Sequence, residues 1–148
     1  MSDLNGCLDY YDRYSKALVK ANALNKSAVF EALAGIGVTS VKVEFDGEGD
    51  SGQIHDVVAQ AGEGLLELPS TPITVHSIAG HNDELRASEA TLPDAIEMLC
   101  YNYLAQEHGG WENSDGAYGE FHFDVRARSI RLDFNERFTD VTSYSHDF

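Results

Sequence analysis

At 148 residues, with 43% hydrophobic residues, seven Phe and seven Tyr, the chain is long enough for one domain with a real core and too apolar to be disordered. No apolar run reaches the roughly 18 residues of a membrane span, and the opening "MSDLNGCLDYYDRYS" lacks the basic start and apolar centre of a signal peptide, so a cytoplasmic protein is expected. The net charge of −15 argues against direct nucleic-acid binding and against an anionic membrane, and favours cations or basic protein surfaces.

The charge is unevenly placed. Residues 1–35 carry four acids and four bases, and the remaining 113 carry 21 acids and six bases. The neutral first part is also the helical part. Tyr11, Tyr14, Leu18 and Ala21 recur at helical spacing. A second helix is expected over "LNKSAVFEALAGIG", with Asn25 as its cap, Val29, Phe30 and Leu33 as its inner stripe and Gly35 at its left-handed stop. At Val38 the period changes. Val41, Val43 and Phe45 alternate with Ser40, Lys42, Glu44 and Asp46, the pattern of a half-buried strand. Glycines 47, 49 and 52 then mark a loop, and residues 54–59 a return strand.

Residues 61–88 carry weaker signals: "PITVHSI" reads as a strand and "AGHNDE" as a turn. A well-marked helix follows. Thr91 and Asp94 resemble a capping box, Pro93 falls in the first turn, Leu92, Ile96, Leu99 and Tyr103 share a face, and Gly109-Gly110 ends it. Cys100 sits among those apolar residues, so it and Cys7 are read as reduced thiols, Cys100 as core filler. After "GGWENSDGAYGE" come two strands. Phe121, Phe123 and Val125 alternate with His122 and Asp124, and Ile130, Leu132 and Phe134 with Arg131 and Asp133. A tight turn through "RARS" pairs Val125 with Ile130 and sets Asp124 against Arg131 and His122 against Asp133. The expected fold is a single α+β domain over 1–148, helical over 1–35 and acidic α+β over 36–148. Its antiparallel sheet of four to five strands carries two N-terminal helices and one central helix on one face.

Three motifs bear on chemistry. Gly49-Asp50-Ser51-Gly52 reads like a serine-protease nucleophile segment, but the first histidine is His55, after Ser51, so the chymotrypsin order fails. Gln53 stands where a nucleophile elbow needs glycine. Asp46, Glu48 and Asp50 match the first three ligand positions of an EF-hand loop, yet Ser51 replaces its glycine and Val57 its bidentate glutamate. A looser Ca or Mg site on Asp46, Glu48 and Asp50, joined by Glu112, Asp115 or Glu120, stays open as an alternative. His122, beside Asp124 and facing Asp133, is a candidate general base or a salt-bridged surface histidine. No other histidine spacing fits a metal motif.

The segments "NKSAVFEALAGIGVTSVKVEFDGEGDSGQI", "DAIEMLCYNYLAQEHGGWENSDGAYGEFHFDV" and "IRLDFNERFTD" resemble a family of small bacterial proteins classed as a domain of unknown function, from about residue 24 onward. Its members are often encoded on plasmids, phages and other mobile elements. The phrases FDG-x-GDSGQI and GWEN-x-DGAYGEF carry the resemblance. It implies that loops 46–53 and 111–120 form one surface, and it brings no assigned activity or catalytic residue.

Two functions follow as expectations. The first is an acidic, non-enzymatic binding or inhibitor protein without a cofactor, imitating nucleic acid to block the basic site of a host CRISPR or restriction effector. Its contact residues would be Glu44, Asp46, Glu48, Asp50, Trp111, Glu112, Asp115, Glu120 and Asp124. The alternative is a divalent-metal module, or a metal-dependent enzyme, built on residues 44–50. A homodimer through Trp111 and Tyr118 is compatible with either.

Overall fold

The computed structural model describes residues 2–48, 51–78, 85–107, 116–136 and 142–148. Among these, the chain order is α1 (Ser2–Gly35), β1 (Ser40–Glu48), β2 (Ser51–Ala61), β3 (Gly64–Leu66), β4 (Pro72–Ile78), β5 (Leu85–Thr91), α2 (Leu92–Glu107), β6 (Ala117–Asp124), β7 (Ser129–Glu136) and β8 (Thr142–Asp147). Six strands form an antiparallel sheet in the order β3-β2-β1-β6-β7-β8, and β4 and β5 form a separate ribbon. The expectation of four to five strands with three helices is thereby overturned: the described chain is mostly β, with eight strands and two helices.

The two expected N-terminal helices are one. No proline or glycine interrupts residues 7–34, so nothing in the backbone forces a break. Asn25 is not a cap but a fully buried mid-helix residue. Its side-chain amide lies flat against β4, donating to the His76 carbonyl at 2.9 Å and accepting from the His76 N–H at 2.7 Å. The helix ends three residues before Val38 in a Schellman turn. The Val38 N–H bonds the Leu33 carbonyl at 3.0 Å, the Gly37 N–H bonds that of Ala34 at 3.2 Å, and Gly37 rather than Gly35 takes the positive φ of 82°. α2 starts as its sequence suggests, with the Thr91 hydroxyl accepting from the Asp94 N–H at 3.3 Å.

Both helices and the ribbon cover one face of the sheet. Val41, Val43 and Phe45 of β1, Phe121 and Phe123 of β6, and Ile130, Leu132 and Phe134 of β7 meet Val29, Phe30 and Leu33 of α1 and Ile96, Leu99 and Leu104 of α2. Phe45 is the aromatic hub, with ring centroids 5.7 Å from Phe121 and 6.0 Å from Phe134. Cys100 is fully buried in this core, and burial, followed by the Glu97 charge, raises its thiol pKa well above the ordinary range. A polar seam joins the helices: Asn22, also buried, accepts from the Asn102 amide at 3.2 Å and donates to Gln106 at 3.4 Å. Phe148 closes the far side. Its ring stacks on Tyr103 with centroids 4.5 Å apart, its N–H bonds the Ile130 carbonyl at 2.7 Å, and its carbonyl accepts from Lys26 at 2.7 Å.

The β6–β7 register differs from the expected one by two residues. Phe123 faces Ile130, Phe121 faces Leu132 and His122 faces Arg131. The connecting turn is Val125–Arg128 rather than 126–129, because the Asp124 carboxylate accepts from the Ala127 N–H at 3.0 Å and Arg128 takes a φ of 52°. A shift of two preserves which side chains face the core.

Asn25→Ala strips the part-buried N–H and C=O of His76 on β4 of their partner. We expect a loss of about 2–4 kcal/mol in urea unfolding, while Asn25→Gln, with its longer arm, does not restore the wild-type midpoint.

Candidate functional site

The face of the six-stranded sheet turned away from the described helices and ribbon carries charge in rows. Strand pairing sets Asp56, Glu44, Glu120 and Asp133 side by side across β2, β1, β6 and β7. The next row, one dipeptide along, sets Val58, Lys42, His122, Arg131 and Asp147 side by side. Beyond the carboxylates on the other side lie Asp46, Tyr118, Asn135 and Ser143. Neighbouring strands are about 4.8 Å apart, so directly opposed carboxylates repel. The cationic row relieves that repulsion.

Lys42 lies 3.2 Å from Glu44 and 3.9 Å from Glu120. The hydrogen bond to Glu44 and its charge, then the charge of Glu120, raise the lysine pKa. His122, 46% exposed, sits 3.6 Å from Glu120 and 3.5 Å from Asp133. Arg131 reaches Asp133 at 3.2 Å, and the Ser145 hydroxyl donates to the same carboxylate oxygen at 2.8 Å. Partial burial works to raise the Asp133 pKa, but the hydrogen bonds from Ser145 and Arg131 and the charges of Arg131 and His122 together hold it below the ordinary value.

At the centre lies a shallow depression of about 300 Å³, lined by Glu44, Asp46, Tyr118, Glu120, Asp133 and Asn135. Gly119 and Phe45 also line it, and the position that a Gly119 side chain would take points to the core side. A Cβ there would overlap the Asp133 carbonyl and come within 2.9 Å of the Phe45 ring. The ring covers the glycine from the core side, so the strand loses no packing by lacking a side chain there.

Of the residues expected to bind a partner, Glu44, Asp46 and Glu120 come together here. Asp124 lies at the end of the same face and caps the β6–β7 turn. Glu48 pairs with Ser51 across the β1–β2 hairpin, and nothing is described of its side chain. Asp50, Trp111, Glu112 and Asp115 lie outside the described residues. The stretch expected as a loop is strand up to Glu48 and again from Ser51, so Asp46 and Glu48 stand on a pleated ladder. Among the described residues, no group of three His, Cys, Asp or Glu is gathered to hold a metal ion. His122 is held between two carboxylates, and its expected neighbour Asp124 is engaged elsewhere. Lys42 and Arg131, read as outward-facing strand residues, join the rows, and Asp56 and Ser145 complete them without having been singled out. Their signal was the two-residue period, readable only once the register is known.

A family of unknown function, DUF6878, has a family model that matches residues 21–148. The chain belongs to the DUF6878 family. No curated protein and no solved structure matches it. The DUF6878 match takes in all the described strands, α2 and the part of α1 that carries Asn25, so the charged face lies wholly within the family's span. Among the described residues, no helix is long and apolar enough to cross a membrane.

Two outcomes are expected. Gly119→Ala should lower the thermal midpoint clearly, because the atoms it meets include backbone that cannot swing aside. Asp133→Asn should cost less than about 1 kcal/mol at neutral pH, since the group is more than a third exposed and solvent screens its ion pairs. Because its folded pKa is depressed, that stability is fully present above the ordinary carboxylate value near 3.9 and is lost as pH falls through the lower folded value. Wild type and variant should therefore converge in acid-unfolding curves.

Proposed function

We propose that this DUF6878 protein is a non-enzymatic binding protein whose charged sheet face engages a basic surface on another protein. The observation that carries the reading is the Asp56–Glu44–Glu120–Asp133 row, a line of carboxylates at strand spacing across four adjacent strands. Such a row is held at a cost in repulsion, and a cationic partner relieves it. The helices and ribbon occupy the opposite face, so no described element stands between this one and a partner of similar breadth. The depression on it is too shallow and too polar to enclose a small molecule, and suits a protruding Lys or Arg.

The phrases FDG-x-GDSGQI and GWEN-x-DGAYGEF carry the resemblance from which a mobile-element origin is expected, and on that expectation rests a finer assignment. The partner is a cytoplasmic nucleic-acid-binding effector of host defence, of the CRISPR or restriction type, and the acidic face stands in for the phosphate backbone. Association is then electrostatically steered and falls with ionic strength.

The test is capture from a bacterial lysate on the tagged full chain, washed at low and then high salt, with duplex DNA and single-stranded RNA as competitors. A stoichiometric nucleic-acid-binding protein that elutes with salt and is displaced by nucleic acid is the expected result. Glu44→Lys together with Asp46→Lys should abolish its capture. An empty bait, or capture indifferent to both salt and the double variant, overturns the reading.

A further inference from the structure

One edge of the large sheet is open. β2 pairs with β1 from Ser51 to Gln60, whereas β3 pairs only with Ala59–Ala61 on its other side. From Ser51 to Val58 no strand among the described residues lies along the outer edge. An exposed edge is a template for another chain, and folded proteins commonly block it with lysine, proline, a bulge or a covering segment. Here the blocking stops short. The Tyr101 hydroxyl of α2 accepts from the Ile54 N–H at 2.9 Å, and the ladder is irregular where Phe45 meets Ile54. Past that point, Asp56, Val57 and Val58 have neither lysine nor proline to guard them.

Beside this free edge runs a groove of about 480 Å³ lined by Val57, Val58, Leu65, Leu66, Leu68 and Pro93. Leu65 at its rim is 75% exposed, the most exposed large apolar side chain among the described residues. An unpaired backbone and apolar pockets on either side of it are what an added strand requires. Charge then selects the occupant. Between Lys42 and Arg86 the sequence holds no lysine or arginine, while Asp56 and Glu67 lie at the edge and the groove and Glu63 in the adjoining turn. A second copy would bring the same acids to the same edge, and like charges across a ladder are destabilising. A segment alternating apolar and basic residues is complementary in both respects.

We propose that an extended basic segment of a partner protein adds to the outer edge of β2 as an extra strand, with apolar side chains in the groove and Lys or Arg side chains toward Asp56 and Glu67. The inference rests on the reading of an acidic binding protein for its basic partner, and it adds the outer edge of β2 and the groove beside it to the open face, which it adjoins at Asp56.

The probe is a capped peptide of alternating Lys and Val, titrated into the isotope-labelled full chain and followed by amide chemical shifts and hydrogen exchange. A Glu–Val peptide of equal length is the control. Shifts and slowed exchange are expected at Asp56–Val58, weakening as salt rises, and absent with the Glu–Val peptide. Leu65→Lys, at an exposed position that leaves the core intact, should weaken binding at least about tenfold. Perturbation confined to Glu44, Glu120 and Asp133, or none up to millimolar peptide, overturns the inference. Leu65→Lys also separates the two surfaces in the lysate capture. If capture survives it but is lost in the Glu44→Lys and Asp46→Lys double variant, the edge inference falls and the open-face reading stands. If the Lys–Val peptide docks on β2 while no nucleic-acid-binding protein is captured, the edge stands and the proposed function falls.

Discussion

The arrangement of layers depends on one amide. Asn25, buried in the middle of α1, gives β4 the two hydrogen bonds that a neighbouring strand would otherwise supply at His76. A two-stranded ribbon is marginal on its own in water and needs something to pack on. Here a helix provides both the apolar contact and, through Asn25, the backbone's polar complement. β5 runs straight into α2 at Thr91–Leu92, so fixing the ribbon also fixes where the second helix begins. Ribbon and helices thus share one side of the large sheet, and no described element covers the other.

That other side would be unstable as a field of carboxylates alone. The sequence spaces its acids and bases two residues apart within each strand, and antiparallel pairing converts that spacing into rows. Glu44, Glu120 and Asp133 are each touched by Lys42, His122 or Arg131, and Ser145 adds a neutral donor to the most crowded of them. Internal ion pairs of this exposed kind are individually weak. They hold side chains in place while leaving them available to stronger cationic partners, which is a useful property in a docking surface.

Much of the sheet was legible in advance because strict alternation is a strong signal. Val41 to Phe45, Phe121 to Val125 and Ile130 to Phe134 face the core as their period demands. The helix cap at Thr91 was legible for the same reason: the chemistry is local. What escaped was non-local or polar. Asn25 looked like a cap because its true partner is 51 residues away. β3 is three residues long, and β5 and β8 read "LRASEAT" and "TSYSHD", without the apolar alternation of a half-buried strand. The β6–β7 register slipped because Arg128, a residue with a Cβ, takes a left-handed conformation that sequence alone would assign to glycine. Of the charged face, Glu44, Asp46, Glu120 and Asp124 stood out as acids in motifs. Asp56 acquires meaning only through the strand beside it, and Arg131, expected opposite Asp124, faces His122 instead.

The two-residue displacement at that turn carries a lesson about how such a sheet can change over time. Because the identity of each face follows parity, the pairing of two neighbouring strands can slide by an even number of positions and every aromatic still meets the helices. An odd change would swap Phe121, Phe123, Ile130 and Leu132 with their charged neighbours, unless a bulge absorbed the extra residue, as the irregular step between Glu44 and Phe45 does in the β1–β2 pair. Pairings in this architecture are therefore free to slide in even steps, and odd ones survive only where a strand can pucker.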